Sequence, residues 1–541
     1  SCRKPVEKIV PYVKAPEGII PGVPKYYATT MPVATGGAGL LVESHEGRPT
    51  KIEGNELHPQ SGGASGSHQQ AEILNLYDPD RSKWPTENGA QKSWADFVAF
   101  WREHYPDFIA NQGQGLAILS QQFSSPTLAR MKQEFENTFP QAKWVVYEPV
   151  SDENIFEGIR VATGQYYQPV YHYDRAEVIL ALEADFLLKE SDSVRNAGGF
   201  ADGRRIESET DSMNRLYAVE STYTITGAMA DHRMPLQGRQ ISVFAAALAV
   251  ELQKQGLNLS IANNLKNFAT YDFDRKWLAT VATDLMAARG RCLVVAGRHQ
   301  PATVHAIVYA MNSALGNVGN SVAYYPMQDK AVSNTQAFAD LANDMESGSV
   351  NTLVILDGNP AYHAPASLNF SAALAKVANR IHVGLSTNET SQLCTWHLPK
   401  THFLESWGDA RATDGTMSII QPLIAPLFED CHSEIELVSL LNSGTEIPGY
   451  EIVRQTWQAP AGLFANEKKW RKILHDGVLE NNSLPSIKPS AKAASIARQI
   501  TAFPIATDKA NADNLEVAFV PATSVFDGRY ANNGWMQEMP D

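Results

Sequence analysis

Cysteine is scarce in this chain: four in 541 residues, at Cys2, Cys292, Cys394 and Cys431. No two lie within three residues of each other. That spacing excludes a C-x-x-C redox motif, a local zinc ribbon and a ferredoxin-type run of iron–sulfur ligands. A Cys394–Cys431 disulfide stays open at this level, but the simpler reading of the last three cysteines is as small buried hydrophobes. Positive charge is short as well. Forty-five Lys and Arg face 59 Asp and Glu, a formal net charge of −14, so the clustered basic footprint of a nucleic-acid binder is missing. Long apolar runs are missing too: the richest, residues 241–250, is about half a bilayer span and reads as a core helix, so the chain is expected to carry no transmembrane segment. Apolar residues still make up 44% and charged residues 19%, a globular composition. The length allows roughly three or four units of about 150 residues.

Several chemistries are excluded by motif. There is no G-x-x-x-x-G-K-[ST] phosphate loop, no G-x-S-x-G nucleophile elbow and no H-E-x-x-H zinc helix. His397 and His402 are five residues apart and do not share a helix face. They read as satisfied histidines around a loop after Leu398-Pro399 instead of a metal pair.

What is present is an α/β grammar. Residues 1–30 hold Pro5, Pro11, Pro16, Pro21 and Pro24 without a helical period, and are expected to run as an extended arm over another surface. Residues 39–52 read as two short strands turning at Glu46-Gly47. A loop at 60–68 and a short helix at 71–76 follow. Then helices and strands alternate: a helix from the Ser93 cap to Tyr105, a strand at 116–119, a helix at 125–139 and a strand at 144–147. Further strands fall at 178–182, 292–296, 353–356 and 381–384, with helices at 242–255, 303–315 and 335–346. Short apolar strands between helices are the pattern of doubly wound parallel sheets. Past residue 485 the chain turns Ala- and Lys-rich, then strand-like at 515–520.

Glycine turns mark where such sheets bind ligands. Gly113-Gln114-Gly115 precedes its strand, the wrong side for a phosphate turn. Gly297-Arg298-His299 follows the strand at 292–296, in the switch-point position, and Asp357-Gly358-Asn359-Pro360 follows the strand at 353–356 in the same way. Gly297, Arg298, His299, Gly358 and Asn359 are therefore the candidate cofactor-binding residues, through backbone amides able to cradle an anion. Every doubly wound lobe also needs tight glycine turns there. Two polar clusters, residues 226–233 and 405–411, mix carboxylate, Arg and small residues. Lacking a nucleophile or a poised base, they read as ion-pair networks that lock loops between lobes. No residue is assigned a catalytic role, and no metal ligand is assigned.

These residues carry a resemblance. Gly47-Arg48, Lys51-Ile52, Gly54-Asn55 and His58-Pro59 are similar to the opening motif of molybdopterin oxidoreductases. Tyr77-Asp78-Pro79-Asp80-Arg81 with Trp84-Pro85, and Gly358-Asn359-Pro360 with Pro365, resemble two further motifs of that family. Residues 3–13, 213–220, 226–233 and 404–411 look most like the molybdopterin-like N-terminal half of the large fused iron–sulfur subunit of alternative complex III, a bacterial quinol:electron-acceptor oxidoreductase. The resemblance spans essentially the whole chain.

It implies an α/β, molybdopterin oxidoreductase-like (DMSO reductase/formate dehydrogenase-like) multi-lobed fold with doubly wound parallel sheets and a small N-terminal β region. The expected parts are an arm and small β region at 1–85, a discontinuous lobe at 86–143 plus 326–440, an inserted lobe at 144–325, and a C-terminal segment at 441–541, shortened relative to the family's barrel. Two departures bear on cofactors. Residues 3–54 hold no cysteine, so thiolates cannot hold an iron–sulfur cluster there. The stretch between Cys2 and Cys292 holds none either, so the family's cysteine ligand to molybdenum is missing.

The expectation is a cofactor-free scaffold of a membrane-associated respiratory complex that oxidises quinol, with iron–sulfur clusters only in a missing C-terminal part and other subunits of that complex as partners. The alternative is a catalytic subunit holding a molybdopterin dinucleotide through a non-cysteine metal ligand. An unrelated sugar- or nucleotide-binding α/β protein is a third reading, disfavoured by the order of the motifs. The resemblance also implies a peripheral place on the periplasmic side of the cytoplasmic membrane. The chain reads as a piece of a longer polypeptide without its export signal, and Cys2, after Ser1, is a candidate lipidation site.

Overall fold

The computed structural model describes residues 17–269, 273–458, 466–503, 505–506 and 508–540. Residues 3–13 and Cys2 lie outside them. The extended arm expected over 1–30 gives way at its C-terminal end to a strand, Lys25–Val33, which pairs antiparallel with Gly36–His45; that strand pairs in turn with Arg48–Gly54. Prolines upstream masked its alternation. The strand is held because Gln421 donates to the Ala28 carbonyl at 2.6 Å and exchanges hydrogen bonds with the Thr29 side chain at 3.0 and 3.1 Å. The second and third strands turn at Glu46-Gly47, as expected. Both residues have positive φ, 54° and 84°, the geometry a two-residue hairpin turn requires.

Two parallel sheets form the body. A seven-stranded sheet runs in the order Ala90–Gln91, Thr86–Glu87, Trp396–Pro399, Asn379–Gly384, Thr352–Leu356, Leu116–Ser120, Lys143–Val146. Its last five strands are parallel, and residues from before 147 and after 351 share it. Strand alternation feeds two cores. Leu116, Ile118 and Val354 join Phe97, Trp101 and Phe135 on one face. Ala117, Leu119, Leu353 and Ile355 join Phe338 and Leu341 on the other. A four-stranded parallel sheet runs His232–Pro235, Arg215–Glu220, Val178–Leu182, Cys292–Ala296, covered by helices that include Gly238–Lys254 and Ala302–Leu315.

In each sheet the strand order reverses once. The chain builds outward from Leu116–Ser120 to Lys143–Val146, then returns to the opposite side at Thr352–Leu356. It builds from Val178–Leu182 to Arg215–Glu220 and His232–Pro235, then returns to Cys292–Ala296. Ligand crevices of open α/β sheets lie at such reversals, outside the carboxyl ends of the strands.

Three further local expectations change. The helix from Ser93 runs on to Ala110 through Pro106. Pro106 removes one amide hydrogen and crowds the carbonyl a turn earlier, and burial of Phe108 against Trp101 carries the helix past it. His397 sits within the strand Trp396–Pro399, not in a loop. Residues 515–520 form no strand. Cys292, Cys394 and Cys431 are free thiols. No helix of the described residues is long and apolar enough to cross a membrane.

Candidate functional site

At the reversal of the four-stranded sheet, Glu183 follows Val178–Leu182 with φ 51° and Gly297 follows Cys292–Ala296. A Cβ on Gly297 would lie 2.0 Å from the Glu183 carbonyl oxygen. Only glycine fits, and the Gly297 amide donates to the Leu182 carbonyl at 3.0 Å. The next amide is the one an anion would seek. The chain already supplies an anion there. Arg298 donates its backbone N–H to Glu190 at 3.1 Å and its Nε to the same carboxylate at 3.3 Å. Its Nη2 reaches the Lys189 carbonyl and Ser191 Oγ at 2.9 and 3.2 Å. Burial pushes the Glu190 carboxyl up, more than the Arg298 charge pulls it down.

His299 stands 3.2 Å from Glu183. Burial opposes its protonation, but the hydrogen bond and charge of Glu183 outweigh it and raise its pKa. Glu183 also accepts from Gln300 at 2.7 Å and from Ser221. Beneath lies a cavity of about 40 Å³ walled by Asp152, Gln168, Tyr171, Glu190, Asp192 and Arg195. It has room for on the order of two or three waters, against the roughly 300 Å³ or more of small-molecule sites. A larger hollow of about 330 Å³, between Phe123, Lys132, Trp144 and Lys330, includes none of the sequence-chosen residues.

Beside this reversal, the N-terminus of helix Gly238–Lys254 is filled in the same fashion. The backbone amides of Gly238 and Arg239 donate to the two oxygens of Glu516, at 2.8 and 2.7 Å. Negative charge is favoured at that end of a helix.

At the reversal of the seven-stranded sheet, Asp357 and Gly358 both have positive φ, 62° and 77°, and Gly358 approaches Gln121 from the neighbouring strand end. Burial works against the Asp357 carboxylate, yet the Lys400 ammonium at 2.6 Å overcomes it and holds its pKa below the usual range, at about 2. The amides and side chains of this turn are engaged from within. Gly358 N donates to Asp357 at 2.8 Å, Asn359 N to His363 at 3.1 Å, and the Asn359 side chain joins Glu389 and Thr390. Arg529 arrives from the C-terminal segment, 2.5 Å from buried Glu148 and 2.7 Å from Asp527.

The structure thus places Gly297, Arg298 and His299 at one reversal and Gly358 and Asn359 at the other, on different sheets. Glu190, Glu516 and Arg529 were invisible to sequence reasoning: a lone carboxylate or guanidinium far along the chain carries no local pattern. The two polar clusters are ion-pair networks. Thr226 donates to Asp185 at 2.8 Å and Arg233 to Glu220 at 2.5 Å. Arg81 and Glu405 form a buried pair at 2.6 Å, and Asp409 accepts from Ser125, Thr127 and Trp457. The two histidines are satisfied separately, His397 by Ser82 at 2.6 Å and His382 at 3.1 Å, His402 by Glu72 at 2.8 Å. No group of three His, Cys, Asp or Glu among the described residues is arranged to hold a metal.

The arrangement of sheets is shared with acetylene hydratase from Pelobacter acetylenicus, at a TM-score of 0.62 and 14% identity, over 82% of this chain and 74% of that one. The chain has the molybdopterin oxidoreductase fold. The resemblance read from the motifs is borne out. Among curated proteins, the menaquinone reductase molybdopterin-binding-like subunit of Nitratidesulfovibrio vulgaris is 24% identical over 458 aligned positions. The match takes in 78% of this chain and 65% of that subunit, so this molybdopterin-oxidoreductase-like chain spans just under two thirds of its curated relative. No protein-family model matches the chain.

A dinucleotide needs amides or cationic side chains to receive its phosphates. In this fold the Arg298, Gly238 and Arg239 amides already carry carboxylates, and Glu183, Asp185 and Asp192 stand close by. At these two points a dinucleotide's phosphates would meet carboxylates in place of free amides.

Proposed function

We propose that the chain is a scaffold domain of a membrane-associated respiratory electron-transfer complex, a molybdopterin-oxidoreductase-like body that holds partner subunits and leaves redox chemistry to centres elsewhere. The observation that carries this reading is the pair of internal carboxylates: Glu190 on the Arg298 amide and Glu516 on the amides of Gly238 and Arg239. Like charge at those points disfavours a phosphate by several kcal/mol when the groups are desolvated. The relative's name, a molybdopterin-binding-like subunit of a menaquinone reductase, supports a place in quinone-linked electron transfer. On this reading the complex lies on the periplasmic side of the cytoplasmic membrane, and iron–sulfur clusters belong to other parts of it.

The test is metal analysis by plasma mass spectrometry, with pterin extraction and fluorescence, on the full-length protein purified from its native membrane. Molybdenum, tungsten and pterin well below one per chain are expected. Near-stoichiometric metal with pterin overturns the scaffold reading. A direct check of the internal ligands accompanies it. Replacing Glu190 and Glu516 by Gln is expected to give measurable binding of inorganic pyrophosphate in titration calorimetry, where the unaltered chain shows none.

A further inference from the structure

Leu515, Val517 and Phe519 alternate with Glu516 and Ala518, the period of a strand, yet this stretch joins no sheet. Among the described residues, no backbone amide or carbonyl from 515 to 521 takes part in a hydrogen bond. The apolar side chains stand in solvent: Leu515 and Val517 are 73% exposed, Phe519 91% and Val520 54%.

Neither end of the stretch is loose. Upstream, the Ala510 amide and carbonyl both bond the Gln237 side chain at 2.9 Å, and Asn511 and Asn514 close a tight turn. Within it, Glu516 is fixed to the Gly238 and Arg239 amides. Downstream, Ala522 bridges Phe526, Arg529 pairs with Glu148, and Tyr530 donates to Glu72 at 2.6 Å. A stretch of backbone with free donors and acceptors can serve as a template for strand pairing. Apolar side chains at alternate positions then supply specificity.

We infer that residues 515–520 are a docking strand, which pairs edge to edge with an extended strand of a partner polypeptide. Chemistry selects that occupant. Residues 510–526 contain no Lys or Arg and do contain Asp513 and Glu516, so an anionic lipid surface is a poor complement. Free amides and carbonyls are met by another strand's backbone, and the exposed Leu, Val and Phe by its side chains. Pro521 cannot donate to a ladder and sets the end of the pairing. The inference rests on the reading of the chain as a subunit of an assembly.

The experiment compares amide hydrogen exchange in the full-length chain alone and in the assembly isolated from its native membranes. In the isolated chain, amides 517–520 are expected to exchange almost unprotected. In the assembly, alternate amides slow by at least 100-fold, with the protecting strand assigned by photo-crosslinking from position 519. A set of proline variants reads the geometry, since an edge strand offers every second N–H to its partner. Val517→Pro and Phe519→Pro are expected to differ at least tenfold in association from Ala518→Pro and Val520→Pro. All four sites are outside the ordered sheets, and an unchanged Tm checks that each variant folds. If the chain isolates with partners but 517–520 stay unprotected, this inference fails while the subunit reading stands. If it isolates alone, both fail. Crosslinks to lipid or to a second copy of the chain, or equal losses at all four positions, also overturn the docking strand.

Discussion

Two glycines separate a position that tolerates no side chain from one that merely lacks one. Gly297 presses its α-carbon against the Glu183 carbonyl, and a Cβ there would sit 2.0 Å from that oxygen. The obstacle is backbone, so nothing flexible can give way, and Gly297→Ala is expected to lose about 3 kcal/mol or more. Gly198 lies inside helix Ser193–Asp202 with no atom within 4 Å of its Cβ position. Gly198→Ala is expected to gain about 0.5–1 kcal/mol from lower unfolded-chain entropy and better helix propensity. Thermal unfolding of the two variants side by side decides it: equal and small effects would mean that the turn after Cys292–Ala296 is not the rigid point described. That turn was legible in the sequence because a glycine after a short apolar strand has a specific backbone use. Its occupant was not, because Glu190 lies beyond the end of the other strand and carries no signal until the sheet is assembled.

At the scale of elements, a strand at the side of a sheet needs its outer backbone groups satisfied, and Cys292–Ala296 has no strand on its far side. Helix Ala302–Leu315 supplies the substitute. The Asn312 carboxamide accepts from Val294 N at 3.1 Å and donates to Val294 O at 2.7 Å, the pattern of a neighbouring strand. Ser321 adds a hydrogen bond to the Cys292 carbonyl. Asn312→Leu leaves a buried N–H and a buried C=O without partners, at about 1–3 kcal/mol each. The urea midpoint should fall accordingly, and the Val294 amide should exchange faster; an unchanged midpoint would refute the edge-closing role. The same loss of local signal explains which elements were readable. The strands at Val178–Leu182 and Cys292–Ala296 and the helix Thr335–Glu346 were fully legible, since each is a self-contained periodic pattern bounded by caps or glycine. Lys25–Val33 was not, because the prolines upstream hide its alternation and the Gln421 bonds that hold Ala28 and Thr29 come from far along the chain. Residues 515–520 have the strand pattern without a ladder among the described residues.

A further element-scale dependence lies at Arg529, which joins the C-terminal segment to Glu148 and Asp527. The side chains of those carboxylates are only 2% and 6% exposed. Arg529→Met leaves Glu148 buried and unpaired, and burial already pushes that carboxyl up. Breaking such a pair costs roughly 3–5 kcal/mol when both partners are buried. The guanidinium is 38% exposed, so solvent screening brings the expected loss to about 2–3 kcal/mol. Hydrogen exchange should rise both around Tyr147-Glu148 and at Tyr530, which bonds Glu72. A change confined to one side would show that the segment does not tie the two regions together.

Over the whole molecule, neutral histidines are buried in each major part, and they set how the fold answers acid. Burial drives His58 to about 4, His305 to about 3, His363 to about 4 and His397 to about 3. His58 lies against the N-terminal sheet with Asp192 nearby, His305 against Gly158 and not far from His299, His363 beside Asp527 and Arg529, and His397 on His382. In each the folded pKa is below the unfolded value of about 6.5. The unfolded chain therefore binds more protons as pH falls through 6.5, and stability present above that value is lost progressively toward pH 4. His299, raised by Glu183, works the other way, and so do Glu148, Glu190 and Asp409, which burial holds up. The histidine loss runs through the interval from pH 6.5 to 5, where the unfolded imidazoles take up their protons. Across it each contributes on the order of 1 kcal/mol per pH unit. Calorimetry at matched ionic strength should show the Tm dropping steeply between pH 6.5 and 5, and much less between 8 and 6.5. A Tm that stays level down to pH 5 would mean that these imidazoles reach water or a proton acceptor in the folded state, and that the packing around Gly39, Gly158 and the His382–His397 pair is looser than the distances imply.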